Sequence, residues 1–345
     1  MKTCLVAVLL ASGAAISLAS PGLRAQSTNP RIDAHVAAAK AAAGADFAGV
    51  FTRICREAAP AAMPPVAPRP ETQRGARPPG PPPRESWHAE PVKVFDNLYF
   101  LGQTEYSAWA VKTSAGIIII DSIFDYSVDD EVVGGLKAMG LDPAAIKYVV
   151  ISHGHSDHSG GAKYLQDRFN ARVILAAADW DLLDKSSGTK PRRDMVATDG
   201  QKLTLGDTTL TLYNTPGHTM GTLSTMIPVK DNGVPHVAAY WGGTAFNWTA
   251  NRNAYITAER PDSFWFKTYS DSARRFKEIT TKAGADIILS NHTDFDGTKR
   301  KLPTLAQRQP SQPHPLVIGA AGVQRYLTVV DECAQAGLAR VQAIP

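Results

Sequence analysis

The chain has 345 residues and a formal charge of +4, with 44% hydrophobic and 20% charged residues. This composition is that of an ordinary soluble globular protein, and the length fits one large domain with extensions. Without Lys2 and Arg24, which fall in a predicted leader, 34 basic and 32 acidic residues remain and the charge is +2. This even balance argues against nucleic acid or an anionic membrane as the partner.

The first 25 residues are typical of an export signal. Lys2 supplies the charged start, "CLVAVLLASGAAISLA" is the apolar run, and "LRA" before Gln26 is a plausible cleavage site. A membrane anchor is the alternative, but the run is shorter than the roughly 18–20 apolar residues that a span needs. We therefore predict a signal peptide at 1–25, a periplasmic or secreted protein, and no membrane anchoring after cleavage.

Two segments precede the predicted catalytic domain. Residues 26–58 form a predicted helical extension, in which "DFAGVFTRICREA" carries the apolar face. Residues 59–86 are rich in proline, which disfavours a helix or a sheet interior, so they are predicted to form an extended linker or surface strap. A proline-rich docking ligand is the alternative. Residues 87–345 are then the predicted catalytic domain.

The catalytic domain alternates between runs typical of strands and of helices. "VKVFDNLYFLG" and "SAWAVKTSAGIIIID" predict strands, "DDEVVGGLKAMG" a short helix, and "IKYVVIS" a buried strand followed by the helix "GGAKYLQDRF". A second strand-rich half follows, with the helix "DSFWFKTYSDSARRFKEITTKAG" and a last helix near the end of the chain. Two strand-rich halves with helices outside predict an α/β fold, a four-layer αββα sandwich with its site at one edge of the sheets.

The stretch "ISHGHSDHSGG", residues 151–161, holds His153, His155, Asp157 and His158, although the whole chain has only nine histidines. Chance is one alternative, and a polar turn whose histidines cap and hydrogen-bond is another. Crowded imidazoles would repel one another and carry a desolvation cost unless something held them together. Because imidazole and carboxylate are common ligands of divalent metals, the pattern predicts a metal site.

Two more histidines follow predicted strands. "NTPGHTMGT" places His218 in a Pro-Gly turn, and "ILSNHTDFDG" places His292 directly after a strand. A simple turn histidine is the alternative for each. The remaining histidines are predicted to be surface or satisfied structural residues: His35, His88, His236 and His314.

From about residue 87 to 335 the chain resembles the metallo-β-lactamase superfamily, and within it the exported lactamases of subclass B3. The likeness rests on "LYFLG", "GIIIIDSIF", "HGHSDHSGG", "TPGHTMGT", "YSDSARRF" and "IILSNH". The resemblance implies two zinc ions per chain. It assigns the first to His153, His155 and His218, and the second to Asp157, His158 and His292.

The stretch "AYWGGTAF" departs from several branches of that superfamily. Lactonase-like and glyoxalase-like members usually bridge both metals with an aspartate there, and the subclass B3 lactamases commonly show Asp-Ser. Here Gly243 and Thr244 keep a hydroxyl but lack the acid, so Thr244 is a candidate contact for a substrate carboxylate. Asn291 also replaces the usual proline before the last histidine. Further candidates for the substrate acid lie in a basic loop, alternatively a solvated turn: Lys190, Arg192 and Arg193.

The six predicted ligands include no thiolate, which suits zinc, although iron or manganese also fits the ligand types. We predict opening of a β-lactam ring by a metal-bound hydroxide, with Asp157 as the catalytic residue that orients it. The alternative is an exported zinc hydrolase of a non-antibiotic lactone, ester or amide. A nuclease is opposed by the charge and the leader, and a binding protein on an inactive fold would require lost ligands. The predicted partner is a small-molecule substrate.

Cys55 and Cys333 are the cysteines that remain after removal of the leader. An oxidising compartment and an even count favour a disulfide between them. Two free buried thiols are the alternative, since buried cysteine behaves as a small hydrophobe. A bridge would hold the N-terminal extension on the body of the protein.

Overall fold

The computed structural model describes residues 29–63, 80–309 and 311–344. The predicted signal peptide and most of the proline-rich linker lie outside these residues. None of the described helices combines the length and the apolarity needed to cross a membrane.

The first sheet has seven strands, which follow one another across the sheet in chain order. β1 to β4 pair antiparallel, whereas β4 to β7 pair parallel, so helical segments must carry the chain back between the later strands. The strands are β1 (Val92–Lys93), β2 (Leu98–Phe100), β3 (Trp109–Thr113), β4 (Gly116–Ile120), β5 (Ile146–Val150), β6 (Arg172–Ala176) and β7 (Met195–Ala197).

The second sheet has five strands in the order β12-β11-β10-β9-β8. β8 to β11 form an antiparallel meander, and β12 joins β11 in parallel at the edge. These strands are β8 (Gln201–Leu205), β9 (Thr208–Asn214), β10 (Leu223–Asp231), β11 (Val234–Trp241) and β12 (Ile287–Ser290).

Helices cover the outer faces of both sheets. Together with the sheets they form four layers, which confirms the predicted αββα sandwich. The helices are α1 (Pro30–Ala43), α2 (Ala48–Val50), α3 (Arg56–Ala58), α4 (Gly135–Ala138), α5 (Ser156–Ser159), α6 (Ala162–Phe169), α7 (Ala177–Lys185), α8 (Asn247–Ala250), α9 (Arg252–Tyr255), α10 (Asp262–Ala283), α11 (Thr298–Leu305) and α12 (Gly319–Gln342).

Strand β4 shows how the sequence divides its apolar side chains between two cores. Ile118 and Ile120 point into the core between the sheets, and Ile117 and Ile119 point into the core under the outer helices. Both faces of this strand are buried, so its run of isoleucines is continuous rather than alternating with polar residues. The first sheet is therefore covered on one face by the second sheet and on the other by helices.

The N-terminal extension packs on α12, the last helix, which itself lies against β12 of the second sheet. Residues 48–58, here called the arm helix, join α2 and α3 through the π-helical stretch Phe51–Cys55. Phe47 and Cys55 lie in one buried cluster with residues of α10 and α12. The predicted disulfide is present between Cys55 and Cys333, with Cα atoms 4.6 Å apart. The extension is thus covalently tied to the last helix.

Candidate metal centre

Strand ends and the turns after them bring all six predicted ligands to one edge of the sheets. β5 leads into residues 153–158, the turn after β9 carries His218, and β12 ends two residues before His292. Gly217 has a φ of 147°, and a Cβ at this position would lie 2.7 Å from Cα of Tyr269. Only glycine therefore lets the "TPGHT" turn pack against α10 while aiming His218 inward.

The first set of ligands consists of His153, His155 and His218. Nε2 of His218 lies 3.0 Å from Nε2 of His153 and 3.1 Å from Nδ1 of His155. Nδ1–H of His153 donates to the Gly242 carbonyl at 2.9 Å, and Nδ1–H of His218 donates to the Ala245 carbonyl at 2.7 Å. These bonds place the ring protons on Nδ1 and leave the two Nε2 lone pairs facing each other.

The second set of ligands is centred on the Asp157 carboxylate. Its Oδ2 lies 3.3 Å from Nε2 of His158 and 3.6 Å from Nε2 of His292. His153 also offers a ligand atom within 4.8 Å of those of Asp157 and His158. The two sets are therefore adjacent, with His153 at their junction.

Burial sets the protonation of the histidines in both sets. It lowers the pKa of His155 to about 4 and, together with the neighbouring His158, lowers the pKa of His292 to about 3. Burial and neighbouring imidazoles also hold the pKa values of His153 and His218 well below the usual range. These four rings are neutral near pH 7, which is the state that ligates a metal.

Asp157 and His158 form a charged pair within the second set. Burial alone would raise the pKa of Asp157, but the positive charge of His158 and its hydrogen bond hold that pKa below the usual range. Burial opposes a charge on His158, whereas Asp157 and Asp121 raise the pKa of the ring to about 10. Asp157 is therefore an anion near neutral pH, and a metal on Nε2 of His158 would take the place of the proton that balances this anion in the metal-free protein.

The distances and donor types test whether these residues fit a metal. Around a tetrahedral zinc with bonds of about 2.0–2.1 Å, neighbouring ligand atoms are separated by about 3.3 Å. The separations of 3.0 and 3.1 Å in the first set, and of 3.3 and 3.6 Å in the second, bracket that value. Imidazole nitrogens with one carboxylate also match the ligand preference of zinc. The residues fit the metal.

Comparison with known proteins agrees with this geometry. Residues 101–234 match the family model described as the metallo-beta-lactamase superfamily. The chain contains a metallo-beta-lactamase superfamily domain. The matched segment contains residues 153–158 and His218, whereas His292 lies beyond it.

Curated relatives of the domain carry different names. A hydroxyacylglutathione hydrolase of Acidiphilium cryptum is 29% identical over 114 residues, which are 33% of this chain and 41% of that protein. An N-acyl homoserine lactonase of Azorhizobium caulinodans is 25% identical over 191 residues, covering 51% of this chain and 69% of the lactonase. The chain thus spans less than half the length of the first of these relatives.

Solved structures match over more of the chain. A subclass B3 metallo-beta-lactamase of Bradyrhizobium japonicum superposes with a TM-score of 0.62 and 24% identity, covering 74% of this chain and 96% of that one. A metallo-beta-lactamase of Cronobacter sakazakii gives a TM-score of 0.61 and 26% identity, covering 75% and 98%. These likenesses support the same fold for this superfamily domain.

The superfamily domain also contains a buried carboxylate, Asp121, that the sequence analysis did not assign to the site. It follows β4 and adopts a φ of 58°, which aspartate tolerates better than most residues. Oδ1 accepts from the Ser152 amide at 2.6 Å, and Oδ2 accepts from the Ser152 hydroxyl and the Tyr240 hydroxyl at 2.8 and 2.5 Å. Oδ2 also lies 3.0 Å from Nδ1 of His158. Asp121 thereby orients His158 from behind.

A second buried carboxylate, Asp179 on α7, ties together the two histidine turns. It accepts hydrogen bonds from the Gly154 amide at 2.7 Å, the Thr219 hydroxyl at 2.7 Å and the Gly221 amide at 2.8 Å. Burial raises its pKa, and the three hydrogen bonds oppose that rise. Asp179 therefore fixes the spacing between the loop of His155 and the loop of His218.

The place where related enzymes carry an acid is filled by backbone in this chain. A Cβ at Gly242 would lie 1.8 Å from the Leu223 carbonyl, and a Cβ at Gly243 would lie 2.5 Å from Cβ of His218. The Gly242 carbonyl itself accepts from His153 and, at 3.2 Å, from the Asn291 side chain. Asn291 thus has a structural role, since it holds the Gly242 carbonyl. Neither Gly242 nor Gly243 has a side chain that could bridge the two ligand sets.

The predicted substrate contact of Thr244 is not supported by the structure. Its side chain is fully buried, and the hydroxyl lies 3.1 Å from the Ser290 hydroxyl and 3.2 Å from the Tyr326 hydroxyl. Thr244 therefore points into the protein interior, and Gly243 is the residue of this pair that lies against His218.

The basic loop after α7 has local structural roles. Nζ of Lys190 donates to the carbonyls of Leu183, Asp184 and Ser186, which caps the end of α7. The Arg193 guanidinium pairs with Asp181 at 3.0 Å. These contacts favour the alternative of a solvated basic turn.

The four histidines predicted to be structural have partners outside the centre: His35 with Glu332, His88 with Glu131, His236 with Asp286 and His314 with the Val94 carbonyl.

Two polar side chains from α8 and α9 cover the first ligand set. The Asn247 amide nitrogen lies 3.3 Å from Nε2 of His218 and 3.4 Å from Nδ1 of His155. The Tyr255 hydroxyl lies 2.8 Å from Nε2 of His155, and burial raises the pKa of that hydroxyl to about 12. Neither residue lies in a motif or follows a strand, so the sequence carried no signal for them.

Proposed function

We propose that the protein is an exported dinuclear zinc hydrolase that opens the β-lactam ring. The proposal assigns one zinc to His153, His155 and His218. It assigns the other to Asp157, His158 and His292. The coarser statement, a metal-binding hydrolase of the metallo-beta-lactamase superfamily, rests on the family match and on the two ligand sets.

The observation that carries the proposal is the backbone at Gly242 and Gly243. A carboxylate bridge between the two metals is sterically excluded there, because a side chain at Gly243 would meet His218 at 2.5 Å. Lactonase-like and glyoxalase-like members bridge the metals with an aspartate at this position. The subclass B3 lactamases, although they commonly show Asp-Ser there, do not bridge the metals with a carboxylate, and this chain shares that property while lacking the acid. The fit of the whole Cronobacter and Bradyrhizobium metallo-beta-lactamases onto this chain points in the same direction.

Two side chains of the centre, Asp157 and Asn247, would orient the reacting groups. Bound zinc would supply Lewis acidity toward the substrate carbonyl and a water of lowered pKa. The Asp157 carboxylate, 22% exposed, is positioned to accept a hydrogen bond from the attacking water and so fix its direction. The Asn247 amide nitrogen, beside His155 and His218, is positioned to donate to the substrate carbonyl oxygen as negative charge develops there.

A second candidate is hydrolysis of a lactone or a thioester. The similarity to an N-acyl homoserine lactonase and to hydroxyacylglutathione hydrolases favours it, although the missing bridge opposes it. Both candidates use the same six ligands. They differ in the substrate, so the substrate must be determined by assay.

The deciding experiment is a parallel hydrolysis assay of purified mature protein. Nitrocefin, a carbapenem, an N-acyl homoserine lactone, a thioester and a phosphodiester are tested with and without a chelator. Chelator-sensitive hydrolysis of the β-lactams above the other substrates supports the proposal. Faster lactone or thioester turnover selects the second candidate. Metal analysis should return close to two zinc ions per chain, and a reproducible single metal would reject the second zinc.

Asp157→Asn tests the catalytic assignment. The variant loses an anionic ligand and the acceptor for the attacking water, so turnover should fall by roughly several hundredfold. Circular dichroism and zinc content, measured alongside, show whether the fold and the metal are retained. Near-normal turnover in a folded and metal-loaded variant would exclude the role.

Export is proposed from the leader at 1–25, and the disulfide is consistent with an oxidising compartment. Expression of the full chain in a Gram-negative host should place mature protein, cleaved after Ala25, in the periplasmic fraction. N-terminal sequencing of that fraction identifies the cleavage site. Retention of the uncleaved chain in the cytoplasm would contradict the proposal.

A further inference from the structure

The arm helix lies against both loops that flank the metal centre. At one end, Gly49 is so close to the Asp294 carbonyl that a Cβ would lie 3.0 Å from it, and Asp294 is two residues after His292. At the other end, Glu57 accepts a hydrogen bond from the Phe246 amide at 2.9 Å. The arm helix therefore spans the rim of the centre from the His292 side to the Asn247 side.

Arg53 lies midway between these two contacts. Its side chain runs along the arm helix to Glu57, the residue that is bonded to the Phe246 amide at the rim. The Arg53 side chain is 63% exposed, and its Nε donates to Glu57 at 2.5 Å. Glu57 in turn holds the Phe246 amide, and the next residue, Asn247, lies 3.3 Å from Nε2 of His218. A cation thus lies one ion pair away from the loop that carries Asn247.

The geometry leaves the end of the guanidinium available to a ligand. Glu57 contacts Nε, whereas arginine carries five N–H donors, and the planar pair of Nη groups suits a carboxylate. The second oxygen of Glu57 is held by the Phe246 amide, so Glu57 orients the arginine and is itself anchored to the rim. The arginine is also part of the π-helical stretch Phe51–Cys55, and such stretches are frequent at functional sites.

We propose that Arg53 is the residue that recognises the substrate carboxylate, delivered to the metal centre by the N-terminal extension. The disulfide from Cys55, two residues away, clamps the arm helix to α12 and so fixes the height of Arg53 above the centre. This assignment fills the role for which Thr244 is too deeply buried. The role of Arg53 rests on the proposed β-lactam substrate and adds one requirement, a carboxylate next to the lactam ring.

The test compares benzylpenicillin with its methyl ester, which differ in the acid and share the lactam. Arg53→Ala should lower kcat/KM for the acid by about tenfold, the lower end for a charge-assisted bond at an exposed site, and should raise KM more than it lowers kcat. The ester should change less than about twofold. Arg53→Lys keeps the charge without the planar fork and should fall between Arg53→Ala and the wild type. Added salt should weaken the preference of the wild type for the acid.

Arg274→Ala is the matched control, because Arg274 is an exposed helical arginine paired with a nearby carboxylate, Asp271, at 3.0 Å. It should leave both substrates unchanged. Equal losses for acid and ester in Arg53→Ala, or no loss for either, would overturn the proposal. If Arg53→Ala fails to fold, Arg53→Gln replaces it in the same comparison.

The failure of the proposed activity is distinguishable from the failure of this inference. If the wild type hydrolyses neither compound, the β-lactamase proposal is rejected. The acid and the ester are then compared by calorimetric binding to the wild type and to Arg53→Ala. Tighter binding of the acid that is lost in the variant supports the role of Arg53, and equal affinities reject it.

Discussion

Asp121→Asn tests how far the buried carboxylate behind His158 controls the metal centre. The substitution preserves size and suits the left-handed backbone at φ 58°, which asparagine also tolerates. In the wild type, Oδ2 faces three donors: the hydroxyls of Ser152 and Tyr240, at 2.8 and 2.5 Å, and Nδ1 of His158, at 3.0 Å. An amide group at that place turns an acceptor into a donor.

The magnitude follows from these contacts. The two hydroxyls can rotate to accept from the new amide, but Nδ1 of His158 loses the negative charge that lies 3.0 Å from it and faces an N–H donor instead. Loss of such a partner behind a metal-ligating histidine typically weakens metal binding by about 10- to 100-fold, or about 1.4–2.7 kcal/mol. The second ligand set, which contains His158, should be affected more than the first.

The assay is competition for zinc between the metal-free protein and a chromophoric chelator, which resolves the affinities of two sites. Asp286→Asn is the matched control, because Asp286 pairs with Nδ1 of His236 at 2.5 Å outside the centre. It should leave both zinc affinities unchanged. Wild-type affinity at both sites in a folded Asp121→Asn variant would refute the reasoning and leave Asp121 with a role in folding alone.

Three further predictions concern the disulfide, a glycine and an ion pair. Replacing Cys55 and Cys333 by alanine removes a cross-link over 278 positions and should lower the free energy of unfolding, measured in urea, by about 5 kcal/mol. Thiol titration of the denatured, unreduced wild type should find no free cysteine in the mature chain, and two reactive thiols would contradict the bridge. Gly243→Asp should displace His218 and reduce zinc by one ion per chain, since its Cβ would lie 2.5 Å from Cβ of His218; unchanged stoichiometry would disprove that steric argument. The hydrogen bonds from Arg308 lower the pKa of Asp231 below its ordinary value of 3.8. The pair therefore stabilises the fold fully above pH 3.8 and loses its effect as the pH falls through the lower folded-state pKa. Asp231→Asn should lower the free energy of unfolding by about 1–2 kcal/mol at pH 7. Chemical denaturation should show that the difference between the variant and the wild type shrinks below pH 4.

The sequence by itself determined the layers of the fold and named the candidate metal ligands. Continuous apolar runs such as "GIIII" and "IKYVV" must be buried on both faces, which requires helices outside each sheet. A ligand turn that follows such a run is necessarily at the end of a strand, so the positions of His153 and His292 could be predicted from local patterns alone. The cysteine pair followed from the count and the leader.

Only the tertiary structure decided what surrounds those ligands. Asp121 and Asp179 act through hydrogen bonds to distant loops, Tyr255 reaches His155 from α9, and Arg53 reaches the rim from the far side of the proline-rich segment. The burial of Thr244 could not be predicted, because adjacency in sequence does not reveal which of two neighbouring residues faces a cavity. The physical reason is common to these residues. Local patterns encode the period of a strand or a helix, whereas the partner of a side chain depends on how separate elements pack.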